Sequence, residues 1–264
     1  MTGAGMMDCK HALVECDGDY EKAIDYLRKK GQKVANKRAD RETAEGLVIA
    51  KTTDDAGFGI ITMLNCETDF VAKNQEFIDL ANSIAETALQ NKPQSLDELK
   101  NIKINGRAIG DLISDYMGKT GEKTELNDYQ FVKAPKVFVY NHNGNKLASM
   151  VGFNKADSNN IDQCGKDVAM QIAAMNPVAI DKDNVDPSII EREIEIGKEQ
   201  ARQEGKPEEM LEKIALGKLN KFYKENTLLN QEFIKDSKKS ISQYISECDK
   251  DLKVTDFKRV SVKN

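Results

Sequence analysis

FGIITMLNCETDFVAKNQEF, Phe58 to Phe77, carries an apolar run directly into a helical one. Phe58 to Cys66 has the composition of a strand, Leu47 to Lys51 reads as its partner, and Asp54-Asp55-Ala56-Gly57 between them as the turn of a hairpin. Downstream, Phe77, Leu80, Ala81, Ile84 and Ala88 fall on one helical face, and that helix ends before Pro93. At the junction, Thr68-Asp69-Phe70 sets a carboxylate beside an aromatic. Acids favour helix starts and large aromatics are usually buried. Taken alone, these residues therefore predict that Asp69 caps the helix and Phe70 plugs the end of the sheet.

Working outward, a second amphipathic helix carries Ile109, Leu112, Ile113 and Tyr116 on one face and is expected to end at Gly118, followed by a strand over Tyr129 to Val132. The order then repeats. Val137 to Tyr140, the turn Asn143-Gly144, Lys146 to Phe153, a polar loop, and a helix through Val168, Ile172 and Met175 stopped by Asn176-Pro177 give hairpin, loop and helix again, with Phe257 to Val262 as a late strand. The fold class expected is α+β, with two related subdomains over 34–134 and 135–264, each an antiparallel sheet covered by helices.

Two further units flank or interrupt these halves. In residues 1–33, Cys9, Ala12, Leu13 and Cys16, then Tyr20, Ala23, Ile24 and Leu27, keep helical spacing, with Asp19 as a cap and Gly31 as the expected end. Two helices that short cannot bury both faces, so either a helix precedes them or they lean on another surface. Over 187–221, Ile190, Ile194, Gly197 and Ala201, then Met210, Ile214 and Gly217, form narrow seams on either side of Gly205-Lys206-Pro207, the pattern of a protruding helical hairpin.

With 264 residues, 39% hydrophobic and 31% charged, the chain has the balance of a soluble, helix-rich protein of one or two domains. It offers neither an apolar run of membrane-spanning length nor a signal segment, which makes the cytoplasm the expected compartment. The net charge of −5 argues against a broad nucleic-acid interface, and the basic run Lys29-Lys30 through Lys37-Arg38 reads as a solvated helix end and linker. Five cysteines without a C-x-x-C pair and two histidines make a poor zinc site, so no metal is expected and the thiols read as free. Gly118-Lys119-Thr120 is preceded by Ile113 where a phosphate loop needs glycine, and Gly3-Ala4-Gly5 meets Asp8 where a dinucleotide fingerprint does. No nucleotide loop and no nucleophile with a base declares itself, so no cofactor and no covalent chemistry are expected.

Five stretches, in order, resemble one family. Thr2-Gly3-Ala4-Gly5-Met6-Met7-Asp8-Cys9-Lys10 with the Gly18-Asp19 to Gly31 helix, Asn65-Cys66-Glu67-Thr68-Asp69-Phe70-Val71-Ala72-Lys73, Met170-Gln171-Ile172-Ala173-Ala174, Gly217 to Tyr223, and Gln231-Glu232-Phe233-Ile234-Lys235-Asp236 are similar to the bacterial elongation factor Ts family. The resemblance covers essentially the whole chain. It implies a guanine-nucleotide exchange factor for elongation factor Tu, binding that GTPase in its GDP-bound and nucleotide-free forms. The implied architecture is a ubiquitin-associated-like N-terminal unit, a core of two related subdomains and a helical hairpin.

By the same resemblance Thr68, Asp69, Phe70 and Val71 form the tip that disturbs the partner's Mg²⁺ site, which reverses the plug reading of Phe70. Met6, Met7, Gln171 and Phe233 would touch the partner. Departures from the family pattern are the missing first helix, Gln171 in place of a histidine and Glu232 in place of a proline. An adaptor built on a ubiquitin-associated-like unit explains residues 1–33 but not the repeated core. A hidden enzyme would require a deep pocket with converging polar groups.

Overall fold

The structure, a computed structural model, describes residues 5–158 and 160–262, and for 32–37 the backbone alone. Thr2-Gly3-Ala4 of the first motif and the side chains of the basic run between Gln32 and Lys37 thus lie outside the described residues. In chain order the elements are α1 (Met6–Glu15), α2 (Tyr20–Lys37), β1 (Glu45–Thr52), β2 (Phe58–Cys66), α3 (Asp69–Ala72), α4 (Gln75–Asn91), α5 (Leu96–Asn101), β3 (Lys103–Ile104), β4 (Arg107–Ala108), α6 (Ile109–Thr120), β5 (Thr124–Lys133), β6 (Lys136–Asn141), β7 (Leu147–Phe153), α7 (Ile161–Met175), α8 (Pro187–Gln203), α9 (Glu208–Asn226), β8 (Glu232–Phe233), β9 (Asp236–Ser240), α10 (Ile241–Cys248) and β10 (Val254–Ser261).

Both hairpins form, and each gains a third strand on the same side. The sheets are antiparallel, ordered β1-β2-β5 and β6-β7-β10, so the second hairpin strand is central in each and is followed by a long helix, α4 or α7. Strand alternation then sorts the side chains. Phe58, Ile60, Leu64 and Cys66 of β2 join Leu47 and Ile49 of β1 beneath α4 and α6. Val151 and Phe153 of β7 pack beneath α7 and α10. The opposite faces meet each other: Val48, Ala50 and Ile61 lie against Val137, Ala148, Met150 and Val260. The order of layers is helices, sheet, sheet, helices, and this double covering explains why the central strands read as unbroken apolar runs.

Two glycines let the sheets approach. A Cβ on Gly59 would lie 2.7 Å from Val137 Cγ1, and one on Gly152 2.8 Å from Ala134 Cβ. At one corner the edge amides of β1 are satisfied across the sandwich, Val48 N donating to Asn145 O at 2.7 Å and Ala50 N to Asn141 Oδ1 at 2.8 Å.

Three local expectations change. α2 does not stop at Gly31 but runs on to Lys37, and α6 passes Gly118 to end at Gly121, whose φ is +70°. Both glycines sit where these two helices cross: a Cβ at Gly31 would lie 2.9 Å from Ser114 O, and one at Gly118 would lie 3.0 Å from Gly31 Cα. Each is there for backbone contact, not for a helix end, and α6 is the surface on which the N-terminal pair leans. In α9 the buried row is Leu211, Ala215 and Leu219, not Met210 and Gly217, because the i, i+4 ridge is the one that meets Gly197 and Ala201 of α8.

Candidate functional site

β2 ends at Cys66, and the chain turns through Glu67 into α3, a single helical turn. Thr68, extended at φ −122°, is its N-cap, with Oγ1 accepting from Val71 N at 3.4 Å. Successive helical positions are ~100° apart, so burying Ala72 in the first-half core and packing half-buried Val71 against it turns Phe70 outward. Phe70 is 83% exposed. It is not a plug, and Asp69 is not the cap: Asp69 Oδ2 accepts from Lys73 Nζ at 2.7 Å, a bond that holds its carboxyl below the ordinary range. Lys73 and Asn74 then break the helix before Asn74 Oδ1 caps α4 by accepting from Glu76 N at 2.9 Å.

The turn is held from beneath by the loop that follows α6. Thr68 N donates to Glu122 Oε2 at 3.2 Å and Thr68 Oγ1 to both carboxylate oxygens at 3.0 Å. In the opposite direction Lys123 N donates to Glu67 Oε1 at 2.6 Å. Arg38 Nη1 spans the Glu67 carboxylate at 2.7 and 2.9 Å. Burial opposes ionisation of Glu67, but the Lys123 amide and the Arg38 guanidinium outweigh it and keep the carboxyl below its ordinary range. Beside them Cys66 Sγ donates to Thr68 O at 3.2 Å, and burial pushes its thiol up to about 12. Tyr116 Oη and Thr124 Oγ1 are, among the described residues, buried hydroxyls without a hydrogen-bond partner.

Met6 and Met7 occupy the first turn of α1, 88% and 70% exposed. α1 is tied to α2 by Lys30 Nζ donating to Asp8 Oδ1 at 2.5 Å, and α2 lies on α6. The N-terminal unit and the Phe70 turn thus share one support. A cavity of about 150 Å³ opens between unit and core, yet its charged walls are paired already, Lys30 with Asp8 and Arg107 with Asp115. Among the described residues no three His, Cys, Asp or Glu side chains are placed to hold a metal ion, and no helix is long and apolar enough to cross a membrane.

The sequence model of the family described as Elongation factor TS matches residues 67–264, which begin at the clamped turn. A protein from Amoebophilus asiaticus named Elongation factor Ts is 51% identical over 262 residues, covering 99% of this chain and 95% of its own. Elongation factor Ts of Cytophaga hutchinsonii is 52% identical over 263 residues, again covering 99% and 95%, and that of Porphyromonas gingivalis 51% over 263 residues, covering 99% and 94%. The chain belongs to the elongation factor Ts family. It is accordingly a translation elongation factor.

In this elongation factor Ts chain, Gln171 and Phe233 sit in the second half, apart from the Phe70 turn, and both are buried. Gln171 Nε2 donates to Gln231 Oε1 at 3.2 Å and to Glu232 O at 3.1 Å, while its Oε1 accepts from Ile234 N at 2.9 Å. Phe233 stacks on Tyr244 at 4.2 Å between ring centres. These contacts lie beneath the β8–β9 turn, where Ile234 is exposed; Met175 and Val178 are also exposed. Sequence reasoning passed over Ile234, although a residue that follows a buried strand position by one points the other way. Glu122 was also missed, because its partner Thr68 lies 54 residues away.

Proposed function

We propose that the chain binds elongation factor Tu in its GDP-bound and nucleotide-free forms and speeds GDP release by disturbing the Mg²⁺ and phosphate site, without covalent chemistry and without a cofactor of its own. The observation that carries this reading is Phe70, 83% exposed on a turn that is anchored by buried Ala72, half-buried Val71 and the bonds of Thr68 to Glu122. A large aromatic with two side-chain torsions presents much apolar area for little ordering entropy, which suits a wedge.

Nucleotide in such a GTPase is held by backbone amides around its phosphates and by Mg²⁺, the largest local charge. A wedge that displaces groups ordering the metal weakens that hold. Linkage then requires bound GDP to weaken the wedge's binding by the same factor, and each ~1.4 kcal/mol of coupling is tenfold in affinity. Incoming GTP displaces the factor in turn. Met6 and Met7 add flexible apolar contacts from the N-terminal unit, which we read as ubiquitin-associated-like. Gln171 and Phe233 act from inside, holding the β8–β9 turn for a second contact. A cytoplasmic site of action and a protein partner, not a nucleic acid, belong to the same reading.

The test is release of labelled GDP from elongation factor Tu. The wild-type chain should accelerate it, and Phe70→Ala should lose on the order of tenfold or more of that acceleration, the effect of truncating an aromatic hot spot. A Phe70→Ala chain as active as wild type would refute the wedge.

A further inference from the structure

We propose that Glu67 and Glu122 form a reciprocal clamp that sets the direction of Phe70, which makes Glu122 a positioning residue for nucleotide release. The inference rests on the exchange reading above. α3 has four residues, and a helix of that length has no stability of its own, since nucleation is not repaid by one turn of hydrogen bonds. Its direction must be imposed from outside.

Two carboxylates impose it, each reaching across to the other's backbone. Glu122 accepts from Thr68 N and Oγ1, and Glu67 accepts from Lys123 N. The segments Glu67-Thr68 and Glu122-Lys123 are therefore fastened at two points, and two points fix an orientation where one would leave a pivot. Hydrogen bonds to ionised acceptors are the stronger kind. Glu67 is largely shielded, its side chain 13% exposed, and Arg38 spans its two oxygens. Arg38 follows directly on α2, so the clamp joins the Met6-Met7 unit and the Phe70 turn through one carboxylate. Phe70 itself contributes nothing to this rigidity; it is carried by it.

The experiment measures GDP release from elongation factor Tu against concentration for wild type, Glu122→Ala, Glu122→Gln, Phe70→Ala and the double variant Glu122→Ala/Phe70→Ala. Misplacing a working group by about 1 Å costs heavily, so Glu122→Ala should lower the maximal rate roughly tenfold while the half-saturating concentration shifts less than about twofold. Glu122→Gln, which keeps an acceptor for Thr68 N, should recover most of the rate. In the Phe70→Ala background Glu122→Ala should add no further loss, because the clamp acts through the ring. Thr68→Val, which keeps the side-chain shape and removes the hydroxyl, should show a smaller loss of the same kind and serves if Glu122→Ala does not fold. Amide exchange at Thr68 should quicken in Glu122→Ala whether or not the partner is present. An active wild type with an unchanged maximal rate in Glu122→Ala, or losses from Phe70→Ala and Glu122→Ala that multiply, would overturn the clamp alone. A wild-type chain that leaves GDP release unaltered would instead overturn the exchange reading and, with it, the clamp's role.

Discussion

Phe70 and Tyr116 are opposite cases of an aromatic at the same end of the first sheet. Phe70 is exposed, and removing it leaves no cavity. Phe70→Ala should therefore move the unfolding free energy by no more than about 0.5 kcal/mol, whereas a buried phenylalanine would cost about 3–5 kcal/mol. Chemical denaturation of the same variant used in the release assay separates lost function from lost fold. Tyr116 is buried, with its ring 5.9 Å from that of Phe77 and its hydroxyl without a partner among the described residues. Burial first, and after it the charge of the nearby Glu76 carboxylate, pushes that phenol up to about 12. A buried hydroxyl without a partner costs about 1–3 kcal/mol, so Tyr116→Phe, which keeps the ring contact, should raise the denaturation midpoint. A lowered midpoint would show that the hydroxyl has a partner in solution.

Among the elements, the crossing of α2 and α6 decides whether the N-terminal unit is part of the molecule or an appendage. If Gly31 ended a helix, alanine there would cost only the left-handed turn, about 1 kcal/mol, and would leave the unit's packing on α6 intact. In this fold its Cβ would lie 2.9 Å from a backbone oxygen of Ser114, which cannot swing aside as a side chain can. Gly31→Ala should thus release the unit despite a gain of about 1 kcal/mol in helix propensity. Hydrogen exchange should quicken over α1 and α2 while α4, α6 and the sheets keep their protection. Unchanged protection in α1 and α2 would refute the crossing as the unit's anchor. The pairing of α8 with α9 follows the same logic of close approach, with Gly197 facing Ala215 and Lys198 bridging to Glu212 at 3.0 Å.

For the molecule as a whole, the second half carries a charge where the first carries apolar contacts. Asp167 is buried on α7. Burial by itself would raise its carboxyl, but Lys235, Tyr244 and Gln163, donating at 2.7, 2.6 and 2.9 Å, outweigh burial and hold it below the ordinary aspartate range. A carboxyl that ionises at lower pH when folded than when unfolded stabilises the fold fully above its unfolded value, about 3.9, and that contribution is lost as pH falls below it. Wild-type stability should drop steeply below about pH 4, and the Asp167→Asn variant, weaker at neutral pH, should drop less. Urea midpoints of both chains across pH 2–6 test this, and parallel curves would remove Asp167 from the account of acid unfolding.

Much of this molecule was determined locally. The two hairpins, the helices over Phe77 to Ala88 and Val168 to Met175, and the break at Gly205-Lys206-Pro207 each follow from periodicity and turn chemistry within about twenty residues, which is the range over which side-chain pattern selects backbone conformation. The resemblance in Asn65 to Lys73 marked this turn for the same reason, since the motif is contiguous. What tertiary structure alone decided concerns surfaces that meet across the chain. A periodic pattern marks which face is apolar but not what covers it, so the sheets' back-to-back packing and the backbone contact of Gly31 with Gly118 were not legible. Nor did the residues alone give the direction of Phe70, which only the resemblance turned outward. On a one-turn helix it depends on which neighbour reaches the core, and that is settled by Val71, Ala72 and a carboxylate 54 residues downstream.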